Sequence, residues 1–248
     1  MTKYFIPLES NPELFTELIH RLGVSKNLSF FDLLTLSASD TYLLSFIPRP
    51  AHALILVIPA PMGYAKELDV VEKDIPHHDK SGDEEDAMFY RQTIVNACGL
   101  YAILHAVSNG DTRKSVEPGS HIDQLISRCM PLKREERIAS LESDDQLEAA
   151  HASVASRGDT APPPDPTYEP QQAYMTFTKS SKTGHLHQLE GCRRGPIDLG
   201  VTLDYGEDML SEKALTAVKK FVDEAGKGDD WYGLGYSAMA LCVTEGKD

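Results

Sequence analysis

The residues best suited to chemistry lie in Arg91-Gln92-Thr93-Ile94-Val95-Asn96-Ala97-Cys98-Gly99-Leu100, where one cysteine follows a glutamine by six residues. From there Leu100, Ile103, Leu104 and Val107 recur at the spacing of one buried helical face. Asn109-Gly110 supplies a C-terminal stop. The spacing predicts a helix that begins at Cys98. A thiol there feels the positive end of the helix dipole and unpaired backbone N–H groups, both of which favour thiolate. Such a thiol suits nucleophilic catalysis. A small buried cysteine on a core helix satisfies the same pattern, and the segment alone leaves both roles open.

Other elements must position this segment. Asn11-Pro12-Glu13 reads as an N-cap, a proline at the first helical position and an acidic first turn. Leu14, Leu18, Ile19 and Leu22 form that helix's buried stripe, and Gly23 ends it. Ala53 to Ile58 is an unbroken apolar run closed by Pro59, which suits a buried strand. Residues 72–86, polar and rich in His and Asp, read as a loop before the Cys98 segment. Residues 143–172 contain Ser143-Asp144-Asp145, Gly158-Asp159 and Ala161-Pro162-Pro163-Pro164-Asp165-Pro166, and read as a long segment without regular structure. A functional loop and a linker between a helical half and a strand-rich half both fit it.

Ala173-Tyr174-Met175-Thr176-Phe177-Thr178 and His185-Leu186-His187-Gln188-Leu189-Glu190 flank Lys179 to Gly184 and predict a β-hairpin. Taken as symmetric, it sets Ala173 opposite Glu190 and His185 opposite Thr178. Ser211 can cap a helix with Leu215, Val218, Phe221 and Val222 on its face, and Gly235 to Val243 reads as a final strand.

The 248 residues suffice for a substantial core, and 41% hydrophobic with 25% charged residues describes an ordinary globular composition. A net charge of −14 argues against a nucleic-acid partner, because a phosphate backbone would be repelled. It favours a cationic partner, or serves solubility alone. No run of about 18 apolar residues is present, so no membrane span is expected. Met1-Thr2-Lys3-Tyr4 lacks the layout of a signal peptide. The four cysteines are widely spaced without a CxxC, which fits a reduced, intracellular chain. His185, His187 and Cys192 offer an alternative zinc site without an evident fourth ligand. No cofactor is expected.

Gln92-Thr93-Ile94-Val95-Asn96-Ala97-Cys98-Gly99, with His105-Ala106-Val107, resembles the active-site signature of the ubiquitin C-terminal hydrolases, which are cysteine peptidases. Pro7-Leu8-Glu9, Asn11-Pro12 and Pro48-Arg49-Pro50 are similar to that family's N-terminal segments. Gly184-His185-Leu186, Leu189-Glu190-Gly191 and Gly195-Pro196-Ile197 match it further along. The likeness runs from about residue 4 to residue 243. It implies a papain-like α/β (α+β) fold, with a central antiparallel sheet between helices in a knotted backbone. It also implies a single catalytic domain over 1–248. The segment at about 149–171 then becomes the crossover loop straddling the active site. The implied substrate is the basic C-terminal tail of ubiquitin, or of a ubiquitin-like protein, carrying a small leaving group. The implied compartment is the cytoplasm, with the nucleus as a second.

The resemblance assigns Cys98 as nucleophile and Gln92 as oxyanion donor beside the Cys98 N–H. Glu190 stands at the position of the aspartate that orients a histidine, and Pro7, Leu8 and Glu9 fall where the family contacts ubiquitin. The histidine position itself holds Ala173. His185 and His187 alternate away from Glu190, and His105 lies about 10 Å along the helix from Cys98, where packing is its expected role. His77, His78 and His185 are the substitutes to test. Without an imidazole, Cys98 loses both the ion pair that lowers its pKa and the acid that protonates the leaving group. Impaired catalysis is expected, with a ubiquitin-binding pseudoenzyme as the alternative.

Overall fold

The computed structural model describes residues 3–159, 165, 168, 170–225 and 235–244. Its first helix, α1 (Pro12–Leu22), starts as the local chemistry dictates: the Asn11 side chain accepts from the N–H groups of Glu13 and Leu14, and Gly23 closes the other end at φ +100°. After α1 come β1 (Leu28–Asp32), α2 (Thr41–Leu44), β2 (Ala51–Pro59) and α3 (Tyr64–Val71). The buried α4 (Cys98–Ser108) is followed by α5 (His121–Cys129), α6 (Arg134–Glu142) and α7 (Asp145–Ala155). Then follow β3 (Gln172–Lys179), β4 (His185–Leu189), β5 (Ile197–Thr202), α8 (Glu212–Ala225) and β6 (Ser237–Val243).

The six strands form one antiparallel sheet in the order β1-β6-β2-β3-β4-β5. Central β2 is apolar and buried along both faces, as its unbroken run requires. Strands before and after residues 143–172 share this sheet, so that segment does not divide the described fold into a helical and a stranded half. One face of the sheet packs on α1, α4, α5 and α7, through Phe15, Leu18, Leu104 and Val154 among others. The other face packs on α8 through Leu215, Val218 and Phe177, with the Phe177 and Phe221 rings 5.7 Å apart. Ala214 N–H donates to Ser211 Oγ at 3.3 Å, the cap expected for α8.

Two expectations change. The 11 residues of α7 within the segment 143–172 are helix, because Asp144 caps α7 by accepting from Leu147 N–H at 2.9 Å. Leu147, His151, Val154 and Ala155 form its buried face. Counted as polar, His151 breaks that stripe in the sequence. In the structure its Nε2 meets the Ile6 carbonyl at 2.8 Å. Residues 160–164, 166, 167 and 169 of the expected crossover loop lie outside the described residues.

The hairpin is also shifted. Thr178 pairs with His187 and Thr176 with Leu189, because Ser180 N–H closes the turn on the His185 carbonyl at 2.8 Å. Gly184, at φ +76°, completes that turn.

The loop 72–86 is pinned by a buried pair. Arg137 directs both terminal nitrogens at Glu85, at 2.8 and 2.9 Å. Its remaining donors reach the carbonyls of Phe89, Cys129 and Leu132, so all five N–H groups are used. Burial pushes the Glu85 carboxyl up, but hydrogen bonds from His78 and Arg137 outweigh it and hold it below the usual range. Arg137→Ala removes the guanidinium from that buried carboxylate, leaving His78 as its side-chain partner, and is expected to lower unfolding free energy by about 3–5 kcal/mol in urea titrations; a loss under about 1 kcal/mol would contradict this account.

Candidate active site

Cys98 opens α4 as the periodicity predicts, and α4 is buried on all sides behind it. The turn that delivers the thiol passes through Asn96 at φ +64°, a left-handed conformation that Asn tolerates better than most side chains. Upstream, Val95 is held to the N-terminal segment by bonds from Phe5 N–H to the Val95 carbonyl and from Val95 N–H to the Lys3 carbonyl, both 3.0 Å. Downstream, Gly99 faces Leu8, whose Cβ lies 3.2 Å from where a Gly99 Cβ would stand.

Opposite, the end of the hairpin docks on the same loop. Gln92 N–H donates to the Gly191 carbonyl at 2.8 Å. A Cβ on Gly191 would fall 2.7 Å from Gln92 Cβ, so only glycine permits this approach. The docking gathers Cys98, Gln92, Ala173 and Glu190 around one cavity of about 210 Å³, together with Cys192, Tyr64, Tyr174 and Pro170. The four residues assigned from the sequence therefore meet.

Cys98 is partly exposed to this cavity. Burial of its surroundings pushes the thiol up to about 12, against the opposing pull of the Gly99 and Cys98 N–H groups, and the Glu190 carboxylate adds to the rise. Of the two Gln92 amide hydrogens, one goes to the Ile94 carbonyl at 3.1 Å. Glu190 is 2% exposed, and burial raises its carboxyl above the usual range while Arg193 and the Tyr64 hydroxyl oppose. Arg193 Nε donates to Glu190 Oε2 at 3.0 Å and the same guanidinium binds Glu72.

Among the described residues no histidine lines the cavity. His77 lies in the loop after α3, and His78 pairs with Glu85 at 2.8 Å. His185 pairs with Asp198 at 2.7 Å and His187 with Asp86 at 3.4 Å. His105 is buried between Phe89 and Tyr90, accepts from Tyr90 N–H at 3.0 Å, and burial lowers it to about 3. Among the described residues no group of three or more His, Cys, Asp or Glu could hold a metal, the alternative zinc trio included.

Leu8 is 3% exposed and packs over Gly99, whereas Pro7 and Glu9 stay partly exposed. The Ala173 methyl belongs to the apolar layer with Met175 and Phe177, while alternation sends Tyr174 to the α4 side. There its hydroxyl donates to the Leu8 carbonyl at 2.9 Å and its ring stacks on Phe15. Tyr64, Tyr174, Glu72 and Arg193 escaped the sequence reading. Only the spacing of Arg193 three residues after Glu190, across a turn, hinted at the pair.

Residues 5–223 match a family model described as ubiquitin carboxyl-terminal hydrolase, family 1. A ubiquitin carboxyl-terminal hydrolase from Aplysia californica is 33% identical over 88% of this chain and 94% of that protein. The human ubiquitin carboxyl-terminal hydrolase isozyme L1 is 29% identical over 95% and 97% of the two chains. Among solved structures, the UCH37 catalytic domain of Trichinella spiralis, bound to ubiquitin vinyl methyl ester, superposes with a TM-score of 0.69 at 22% identity. That match covers 97% of this chain and 96% of the other, and supports the fold.

The contact between Gly191 and Gln92 gives a direct test. Gly191→Ala is expected to cost about 1–3 kcal/mol of stability through overpacking, read by thermal or urea unfolding. An unchanged unfolding midpoint would show that the hairpin does not dock as described.

Proposed function

The chain belongs to the ubiquitin carboxyl-terminal hydrolase family, and on that premise we propose that it binds ubiquitin and hydrolyses small adducts from ubiquitin's C-terminal glycine through Cys98, with turnover held down by the lack of a base. The observation that carries this reading is the single cavity that joins Cys98, Gln92 and Glu190 yet contains no histidine. In the proposed reaction Cys98 attacks the glycyl carbonyl. The Cys98 N–H and the Gln92 amide stabilise the oxyanion, one such donor being worth roughly 2.7–4 kcal/mol. The intermediate collapses to the Cys98 thioester as the C–N bond breaks, the amine leaves with a proton taken up from solvent in place of the one the thiol lost, and water then hydrolyses the thioester to a carboxylate and the thiol.

The slow step is ionisation. A thiol held near 12 presents almost no thiolate at neutral pH, and no imidazole is placed to take its proton or to protonate the leaving amine. This favours a second reading, a ubiquitin-binding pseudoenzyme in which Cys98 is retained as a core residue. Under both readings Pro7, Leu8 and Glu9, with the segment at about 149–171, form part of the ubiquitin surface. The charge of −14 complements the basic tail. The proposed working unit is one catalytic domain in the cytoplasm, with the nucleus as a second compartment.

Hydrolysis of a C-terminal fluorogenic ubiquitin amide separates the readings. The chain is expected to turn over slowly, and Ala173→His to raise kcat by about 10²-fold with ubiquitin affinity unchanged. Tight ubiquitin binding with no turnover in either form would leave only the binding role.

A further inference from the structure

On a chain of net charge −14, three arginines gather beside the active-site cavity. Arg91 Nη1 donates to the carbonyls of Cys192 and Arg193, so its guanidinium braces a residue of the cavity wall from outside. Its Nη2 reaches Asp69 Oδ1 on α3 at 3.2 Å, and Arg194 Nη2 reaches the Asp69 carbonyl at 3.3 Å. Arg134 opens α6, and its backbone N–H donates to Asp79 Oδ1 at 3.2 Å. The neighbouring His78 N–H holds the Arg194 carbonyl at 2.7 Å. The group thus links the cavity wall, through α3 and the loop 72–86, to the start of α6.

Carboxylates do not satisfy these cations. Among the described residues the Arg194 guanidinium pairs with no carboxylate and is held by the carbonyls of Lys73, Ile75 and Asp69. The Arg134 guanidinium bonds Glu135 through Nη1 alone; its Nε is buried without a partner, and Nη2 has none among the described residues. At 23% exposure the side chain leaves Nη2 to solvent. Asp69, Asp79 and Glu135, the carboxylates that face the group, have 46% to 76% of their side-chain surface exposed and neutralise it weakly. Burial first, and then the nearby Arg91, hold the Arg134 guanidinium below its usual pKa, and Asp69 and Asp79 do not cancel the effect.

We propose that Arg91, Arg134 and Arg194 form a binding surface for a short acidic peptide, the segment that follows the terminal glycine in the leaving group of a ubiquitin adduct. A chain that leaves the cavity past Cys192 meets Arg91 first and Arg134 last. Carboxylates spaced along an extended peptide match guanidiniums spread from the cavity wall to α6, a span that one small anion does not bridge. Arg134 is the specificity-determining residue, since most of its donors are unclaimed. Asp69 is the protein's own competitor, which the guest displaces from Arg91. The proposal rests on the reading that the chain binds ubiquitin, and it does not require turnover.

The test uses the Cys98→Ser protein, which cannot turn over, and two ubiquitin fusions. One extends the terminal glycine by a short peptide of Asp and Glu, the other by the matching peptide of Asn and Gln. By calorimetry at low salt the acidic fusion is expected to bind about five-fold more tightly, an advantage that fades at high salt. Arg134→Gln removes the advantage without moving the melting curve, and Asp69→Asn enlarges it by freeing Arg91. In a second arm the two peptides without ubiquitin are titrated against the arginine Nε–H resonances. The acidic peptide shifts those of Arg91 and Arg134, and the amide peptide does not. Equal affinity for the two fusions, with no shift by the free acidic peptide, overturns the surface. Shifts by the free peptide with equal fusion affinities overturn its assignment to the leaving group. An acidic preference that survives Arg134→Gln and Asp69→Asn unchanged overturns the assignment to these arginines. Failure of both fusions to bind, with the peptide shifts retained, removes the ubiquitin reading and keeps the acidic-peptide surface.

Discussion

The backbone hydrogen bond from Gln92 to Gly191, 2.8 Å long, is the contact on which the rest of the site depends. It joins the loop that delivers Cys98 to the end of the hairpin that delivers Glu190 and Cys192. No side chain larger than hydrogen fits at Gly191, so the two backbones meet directly. The N-terminal segment braces the other side through Val95, and Tyr174 ties it to β3 through the Leu8 carbonyl. The cavity is thus a space left between rigid pieces, with its walls set by the core.

Charge placement around that cavity follows from the same geometry. Arg193 bridges Glu72 and Glu190, linking the end of α3 to the hairpin, and Arg137 holds Glu85 in the preceding loop. Both arginines neutralise carboxylates that burial would otherwise penalise. Nothing comparable neutralises a thiolate at Cys98. The helix N-terminus contributes N–H groups, yet burial and the nearby carboxylate outweigh them. A helix dipole by itself does not make a nucleophile.

Much of the fold was legible because local signals were strong. Asn11-Pro12 and Gly23 bounded α1, the apolar run 53–58 marked a central strand, and Leu100 to Val107 marked α4. Cys98, Gln92, Ala173 and Glu190 were identified before their proximity was seen, because motif order along the chain encodes it. What stayed hidden depended on contacts distant in sequence. His151 concealed α7 because its polarity is satisfied by a carbonyl 145 residues away. The hairpin register was misjudged because the closing pair, Ser180 with His185, is set by turn hydrogen bonds that strand alternation does not reveal. The packing of the Leu8 side chain above Gly99 is likewise a contact between segments far apart in sequence.

The central claim is that Cys98 sits in a nucleophile's place without a base and is therefore a neutral thiol at physiological pH. The most direct measurement is thiolate absorbance near 240 nm from pH 6 to 10, taken as the difference between this protein and its Cys98→Ser variant. A raised thiol pKa means the proton stays on until strongly alkaline pH, so the account predicts no thiolate signal from Cys98 below about pH 9. A titration midpoint at or below about pH 7 would reveal an activating partner and contradict it.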